Sequence, residues 1–332
     1  MDGAMTAGAA SARRVDGAMT AAAGGRDQRR EVREIDVPVR GGPLRVGIWE
    51  PTGASRTDAG GGGGTEGVPT VLAVHGITSS HRAFLALARA LPDIRLVAPD
   101  LRGRARSADL PGPWGLDTHA QDVAAVLAQC TAGPVVVVGH SMGAFVAVVL
   151  AHSRPELVRS LVLVDGGVPF PLPDGVPAEQ QMLTTLGPAA DRLSQTFPDR
   201  ESYRAFWRAH PALGRHFSPD IADFADHDLV GEPPKMHPST RREAMLADGI
   251  ELFGEGTVAA AWRAGLPPVR FLWAPRGLTD QPPGLYPRAM IAAAAGRAGF
   301  TVRETPDNHY TVLMTDDGAA RVAAAVREAL AG

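Results

Sequence analysis

The chain holds one cysteine in 332 residues, so no internal disulfide can brace it. Cys130 falls near the end of a predicted helix, where the expected role is that of a small buried hydrophobe. No run of about 18 apolar residues occurs, so no membrane-spanning helix is expected. Neither sign of charge is in large excess. The formal net charge of −3 gives no reason to expect nucleic acid or an anionic membrane as partner. A continuous leucine-rich segment of the kind found in secretory signals is missing from the N-terminus, and the reading is a cytoplasmic protein. What remains, 45% hydrophobic and 21% charged, is ordinary for a globular domain.

Residues 1–30 are rich in Ala, Gly and Arg without hydrophobic periodicity, and Asp2-Gly3-Ala4-Met5-Thr6-Ala7 recurs as Asp16-Gly17-Ala18-Met19-Thr20-Ala21. The duplicated piece is too short for a structural repeat. We read this stretch as a disordered tail, and a later translation start such as Met19 fits equally well. Gly53 to Gly67, with five consecutive glycines, reads as a flexible surface loop.

From Glu31 onward strands alternate with helices. Glu31 to Val39 and Leu44 to Trp49 alternate apolar and polar residues around Gly41-Gly42-Pro43, the pattern of an antiparallel hairpin. Strands follow at Thr70–Val74 and Arg95–Ala98, then at Val135–Gly139, Leu161–Val164, Val269–Trp273 and near Val302. Helices are predicted over Ser80–Leu91, from Asp117, after Ser141, over Leu285–Ala298 and over Asp317–Leu330. Such alternation implies an α/β fold, a mostly parallel sheet with helices on both faces. It breaks between Gly167 and Leu266, where no convincing strand is present. Four helical patterns occur there, at Glu179–Leu186, Glu201–His210, Thr240–Phe253 and Thr257–Ala264. The reading is a core of residues 31–166 and 267–332 interrupted by a helical cap, 167–266.

Residues 135–143, Val-Val-Val-Val-Gly-His-Ser-Met-Gly, carry most of the information. Four β-branched residues make a fully buried strand, and Gly139-His140-Ser141-Met142-Gly143 fits G-x-S-x-G on a strand-to-helix turn. This marks Ser141 as a nucleophile at a helix N-terminus, where developing negative charge is favoured. An oxyanion needs two main-chain donors, one after the nucleophile and one from the loop ending the third strand at His75-Gly76-Ile77-Thr78. Those positions are Met142 and Ile77. His309, in Pro306-Asp307-Asn308-His309-Tyr310, sits between the last short strand and the closing helix, as suits a general base. The acid that would orient it is open. Asp280, after the strand Val269–Trp273, is placed first although its spacer is long, and Asp165, directly after Leu161–Val164, is its rival. His140 is read as structural and turned away from the nucleophile. The run Asp100-Leu101-Arg102-Gly103-Arg104-Ala105-Arg106-Ser107 is read as a loop braced by Asp100 and Arg102 and otherwise solvated.

With these residues placed, the chain resembles the α/β-hydrolase superfamily over residues 31–331. The motifs are His75-Gly76-Ile77-Thr78, Asp100-Leu101-Arg102-Gly103, Gly139-His140-Ser141-Met142-Gly143 and Asn308-His309-Tyr310. The resemblance implies an eight-stranded sheet with only the second strand antiparallel and a helical cap over the site. It also implies hydrolysis through an acyl-enzyme without metal or organic cofactor. Ser141 argues against relatives whose nucleophile is aspartate.

The chemistry this points to is attack by Ser141 Oγ on a carbonyl, with His309 taking the proton and the amides of Ile77 and Met142 holding the oxyanion. A small-to-medium, partly apolar ester, lactone or thioester is the expected substrate. Amide or C–C cleavage, cofactor-free perhydrolysis, or plain ligand binding are the alternatives. Cap residues Leu183, Leu186, Phe197, Tyr203, Phe206, Trp207, Phe217, Phe224, Met236, Met245 and Phe253 could line an apolar pocket or form the cap's own core. Histidines 210, 216, 227 and 237 match no metal-ligand spacing, so no metal site is expected.

Overall fold

The valine run at the centre of the chain builds the middle of the sheet. In the computed structural model, which describes Met1 and residues 30–52 and 68–332, it forms strand β5, and both faces of β5 are covered. Val135 and Val137 pack with one helical layer, Val136 and Val138 with the other. Burying one valine side chain contributes roughly 1.5–3 kcal/mol, so the strand that delivers Ser141 is firmly anchored. The glycine-rich loop expected at Gly53 to Gly67, and all but Met1 and Arg30 of the tail expected at residues 1–30, lie outside the described residues.

In chain order the elements up to the insertion are β1 (Arg33–Val39), β2 (Gly42–Trp49), β3 (Thr70–Val74), α1 (Leu85–Ala90), β4 (Arg95–Pro99), α2 (Leu116–Cys130), β5 (Val135–His140), α3 (Met142–Ser153) and β6 (Val158–Val164). The insertion contains α4 (Ala178–Leu186), α5 (Pro188–Arg192), α6 (Arg200–Arg208), α7 (Pro219–Asp228), β7 (Leu229–Val230), β8 (His237–Pro238), α8 (Arg242–Ile250) and α9 (Thr257–Ala264). The chain then returns through β9 (Val269–Trp273), α10 (Arg288–Ala295), β10 (Phe300–Glu304), α11 (Thr311–Met314) and α12 (Asp316–Ala331).

Eight strands form one sheet in the order β1-β2-β4-β3-β5-β6-β9-β10. β2 runs antiparallel to both β1 and β4, and the remaining pairings are parallel. The fold is thus the α/β-hydrolase architecture that the alternation of elements and the resemblance implied. Helices α2 and α3 cover one face of the sheet, α1 and α12 the other. Cys130, as expected, is buried, and burial raises its thiol pKa.

The insertion differs from its sequence reading in three places. Helices α5 and α7 were not predicted, and a two-stranded antiparallel ribbon, β7 with β8, occurs where no strand was expected. The signal for α7 was present. Ser218 caps it by accepting from the Ile221 N–H at 3.3 Å, Pro219 fills the first turn and Asp220 follows. The segment predicted as one helix from Ser80 begins as a 3₁₀ turn, His81–Phe84, before α1.

Candidate active site

Ser141 closes β5 at φ 54° and ψ −125°, a strained conformation for a residue with a Cβ. Its N–H donates to the Val164 carbonyl at 3.0 Å, tying the turn to the end of β6. The flanking glycines are forced by close approach. A Cβ on Gly143 would stand 2.0 Å from the Val74 carbonyl oxygen, and one on Gly139 would stand 2.4 Å from Ala144 Cα. Both contacts are backbone, which cannot yield, so glycine is required for β3, β5 and α3 to meet. Ser141 thus sits directly before α3, whose first N–H groups have no partner within the helix.

His309 lies between β10 and α11 and is almost fully buried. Its Nδ1 is 2.7 Å from Asp165 Oδ2, and Asp165, fully buried at φ 45°, also accepts from the Ala274 N–H at 3.3 Å. The acid placed first from sequence, Asp280, is therefore not the one on the imidazole. Its carboxylate is drawn to Arg215 Nη2 at 3.0 Å, Arg276 Nη1 at 3.2 Å and Asn308 Nδ2 at 2.9 Å. The long spacer after Trp273 explains this. It lies alongside residues 308–309, with His309 N–H donating to Arg276 O at 3.0 Å, and so delivers Asp280 to the neighbour of His309.

His140 is more involved than expected. Rather than pointing away, it lines the cavity beside Ser141, and its Nε2 donates to the His309 carbonyl at 2.8 Å. Burial, with the nearby His309 imidazole, lowers its pKa to about 3, so it stays neutral and holds the His309 main chain in place.

Ile77 and Met142 are both buried, and Ile77 lines the cavity that Ser141 also faces. His75 orients the Ile77 amide. Its Nε2 accepts from the Leu101 N–H at 2.9 Å, which leaves the proton on Nδ1, and Nδ1 donates to the Gly76 carbonyl at 2.8 Å. In a planar trans peptide the Ile77 N–H then points the opposite way from that carbonyl. Burial pushes the His75 pKa down to about 3, which keeps this tautomer neutral. The sequence signal for both imidazole roles was their position inside the two motifs.

Ser141, His309, Asp165, Gly76, Ile77 and His140 share one cavity with residues of the insertion, among them Met182, Leu186, Trp207, Phe224 and Phe253. Four of the expected cap side chains (Leu186, Trp207, Phe224 and Phe253) face this space, whereas Tyr203 and Met245 pack in the protein interior. The cavity has a volume of about 50 Å³, room for a few water molecules. No Lys or Arg is among the described residues that line it.

Asp100 and Arg102 both brace this loop, as read from the sequence, though not through each other. Arg102 instead makes a bidentate pair with Asp122 on α2, at 2.8 Å to each oxygen. Asp100 Oδ1 meets His81 Nδ1 at 2.8 Å and its Oδ2 meets His227 Nε2, from α7, at 2.9 Å. Main-chain N–H groups of His81 and Arg106 fill its remaining acceptor sites. Glu34 Oε1 lies 3.5 Å from His81 Nε2 and is itself paired with Arg82. Burial alone would lower the His81 pKa and Arg82 lowers it further, but Asp100 and Glu34 outweigh both and raise it. A raised pKa in the fold contributes stability that is complete below the unfolded value of about 6.5 and is lost as pH rises through the folded one. The gap in Tm between wild type and His81→Gln is therefore expected to be wider at pH 5.5 than at pH 9.5. His75 and His140 oppose acid stability but do so in both proteins, so the gap isolates His81. An equal gap at the two pH values would mean a neutral imidazole.

Residues 69–220 match a family model described as alpha/beta hydrolase fold. The chain has the alpha/beta hydrolase fold. Among curated relatives, the chain is similar to Lipase LipV of Mycobacterium tuberculosis, 46% identical over 105 residues, 32% of this chain and 40% of that protein. It is also similar to 2-(acetamidomethylene)succinate hydrolase of Mesorhizobium japonicum, 32% identical over 139 residues, 42% of this chain and 47% of the relative. Each match spans less than half of the relative's own length. Among solved structures, E-2-(acetamidomethylene)succinate hydrolase superimposes with a TM-score of 0.67 at 22% identity, covering 91% of this chain and 100% of that one. The thioesterase domain from the curacin biosynthetic pathway gives 0.66 at 21% identity, covering 90% and 99%. At such identities the likeness concerns the fold. Among the described residues no helix is long and apolar enough to cross a membrane.

Proposed function

We propose that the protein is a serine hydrolase that cleaves a neutral, partly apolar carboxylic ester, or a related thioester or lactone, through an acyl-enzyme. The observation that carries this reading is the shared cavity of Ser141 and His309, with Asp165 bonded to the far nitrogen of the imidazole. With Nδ1 occupied by the carboxylate, Nε2 is left to take the proton from Ser141 Oγ as it attacks. The negative oxygen that forms is received by the amides of Ile77 and Met142, each worth about 3 kcal/mol in reactions of this type. Protonation of the leaving oxygen by the imidazolium releases the alcohol, and water repeats the sequence on the acyl-enzyme. Asp165 orients the ring and balances its charge.

Substrate class follows from the lining. Its side chains are mostly apolar and, among the described residues, none is Lys or Arg, so a substrate carboxylate would enter without a counter-charge. This separates the chain from a relative whose name specifies a succinate derivative. The test is hydrolysis of p-nitrophenyl butyrate beside the p-nitrophenyl monoester of succinic acid. The neutral ester is expected to be turned over with kcat/KM at least about 100-fold higher, the order of cost of desolvating an unpaired charge. Preference for the charged ester, or rates for both equal to buffer, would contradict the proposal.

A further inference from the structure

Two buried guanidinium groups hold successive carbonyls of the loop that carries Ile77. Arg104, fully buried, donates from Nε to the Ile77 carbonyl at 2.9 Å. Its Nη2 lies 3.9 Å from the sulfur of Met142, so one side chain touches both residues whose amides the proposed mechanism assigns to the oxyanion. Arg192, on α5, donates from Nη2 to the Thr78 carbonyl at 3.1 Å and lies over the ring of Trp207 in the cavity wall.

Each guanidinium is balanced by a carboxylate of the insertion. Arg104 meets Asp248 of α8 at 2.5 Å, and Arg192 meets Asp228 at the end of α7 at 2.5 Å. Both carboxylates are otherwise saturated, Asp248 by His119 and the Gly115 N–H, Asp228 by Tyr203 and Ser239. Buried ion pairs of this kind are seldom more stabilising than apolar residues of equal volume, so stability alone does not account for two of them here. Arginine, however, presents donors in a rigid plane and can hold a carbonyl and a carboxylate together. Lysine keeps the charge and loses the fork.

We propose that Arg104 and Arg192 are positioning residues for the oxyanion hole and that seating of the cap, through Asp248 and Asp228, sets them. The inference rests on the serine hydrolase reading. On this view the hole is complete only when the cap is docked, and the cap takes part in transition-state binding as well as in choosing the substrate.

The experiment compares Arg104→Lys, Arg192→Lys and Asp248→Asn with Arg102→Lys on p-nitrophenyl butyrate. Arg102 is an equally buried, ion-paired arginine of the same loop whose bonds go to Asp122, Pro111 and Arg40. Displacing one oxyanion donor costs about 10²–10³-fold in kcat, so partial misplacement is expected to lower kcat by roughly 10–100-fold. KM should stay within about threefold, because the ground state does not use the hole. Inhibition by an aryl trifluoromethyl ketone, whose serine adduct carries an oxyanion, should weaken in parallel. Arg102→Lys should lose thermal stability to a similar degree while keeping kcat. Equal loss of kcat in Arg102→Lys, or unchanged kcat and inhibition in the folded variants among the other three, would overturn the proposal. If one variant fails to fold, the remaining two decide. A wild type that neither hydrolyses the ester nor binds the ketone would instead bring down the serine hydrolase reading itself, and this inference with it.

Discussion

Replacement of Ser141 by alanine is expected to lower kcat for a neutral ester by about 10⁶-fold, to the level that binding and the oxyanion donors alone sustain. KM should change little, since the hydroxyl bonds to substrate only as the reaction begins. Folding should be nearly unaffected. The turn at residue 141 is made by the main chain, through the bond to Val164 and the close contacts of Gly139 and Gly143, and alanine has the same Cβ as serine. The comparison is made in single-turnover assays with p-nitrophenyl butyrate, with thermal melts as the control. Ser79 and Thr78 also line the cavity, and residual activity above about 1% of wild type would shift the role of nucleophile to such a neighbour.

Asp165→Asn is expected to reduce kcat by about 10⁴-fold, because an amide opposite Nδ1 favours the wrong imidazole tautomer and cannot balance the imidazolium. Asp280→Asn should cost less than about tenfold. Its carboxylate serves Arg215, Arg276 and Asn308, so its loss loosens the loop beside His309 without removing the ring's partner. The two variants share size and chemistry and differ only in which carboxylate is lost. A reversed ranking would restore Asp280 as the acid. A large loss in both would mean that the Asp280 cluster sets the position of His309 as firmly as Asp165 does.

The difficulty of choosing that acid from sequence has a geometric source. β6 and β9 are adjacent parallel strands, so Asp165 and Asp280 both emerge near the same end of the sheet, and both adopt positive φ, 45° and 66°. What separates them is contact with Arg215 and Asn308, far off in the chain, which no local pattern encodes. The four-valine strand and the turn after it were legible because their signals are local: β-branching, two glycines and an apolar helix. His309 was legible from its place after the last strand. The buried arginines were not. Three arginines within five residues suggest a solvated loop, yet Arg102 and Arg104 are fully buried. The acids that neutralise them come from α2 and α8. Helix α7, which supplies His227 and Asp228, could have been recognised from Ser218-Pro219-Asp220, a cap signature among several prolines that otherwise read as breaks.

The most direct measurement is reaction of the wild-type protein with a fluorophosphonate, followed by proteolysis and mass spectrometry of the labelled peptide. The account expects one adduct per chain, on Ser141, formed in step with loss of esterase activity and prevented by His309→Ala. An adduct on another residue accompanied by loss of activity, or full activity in protein that the probe leaves unmodified, would contradict it.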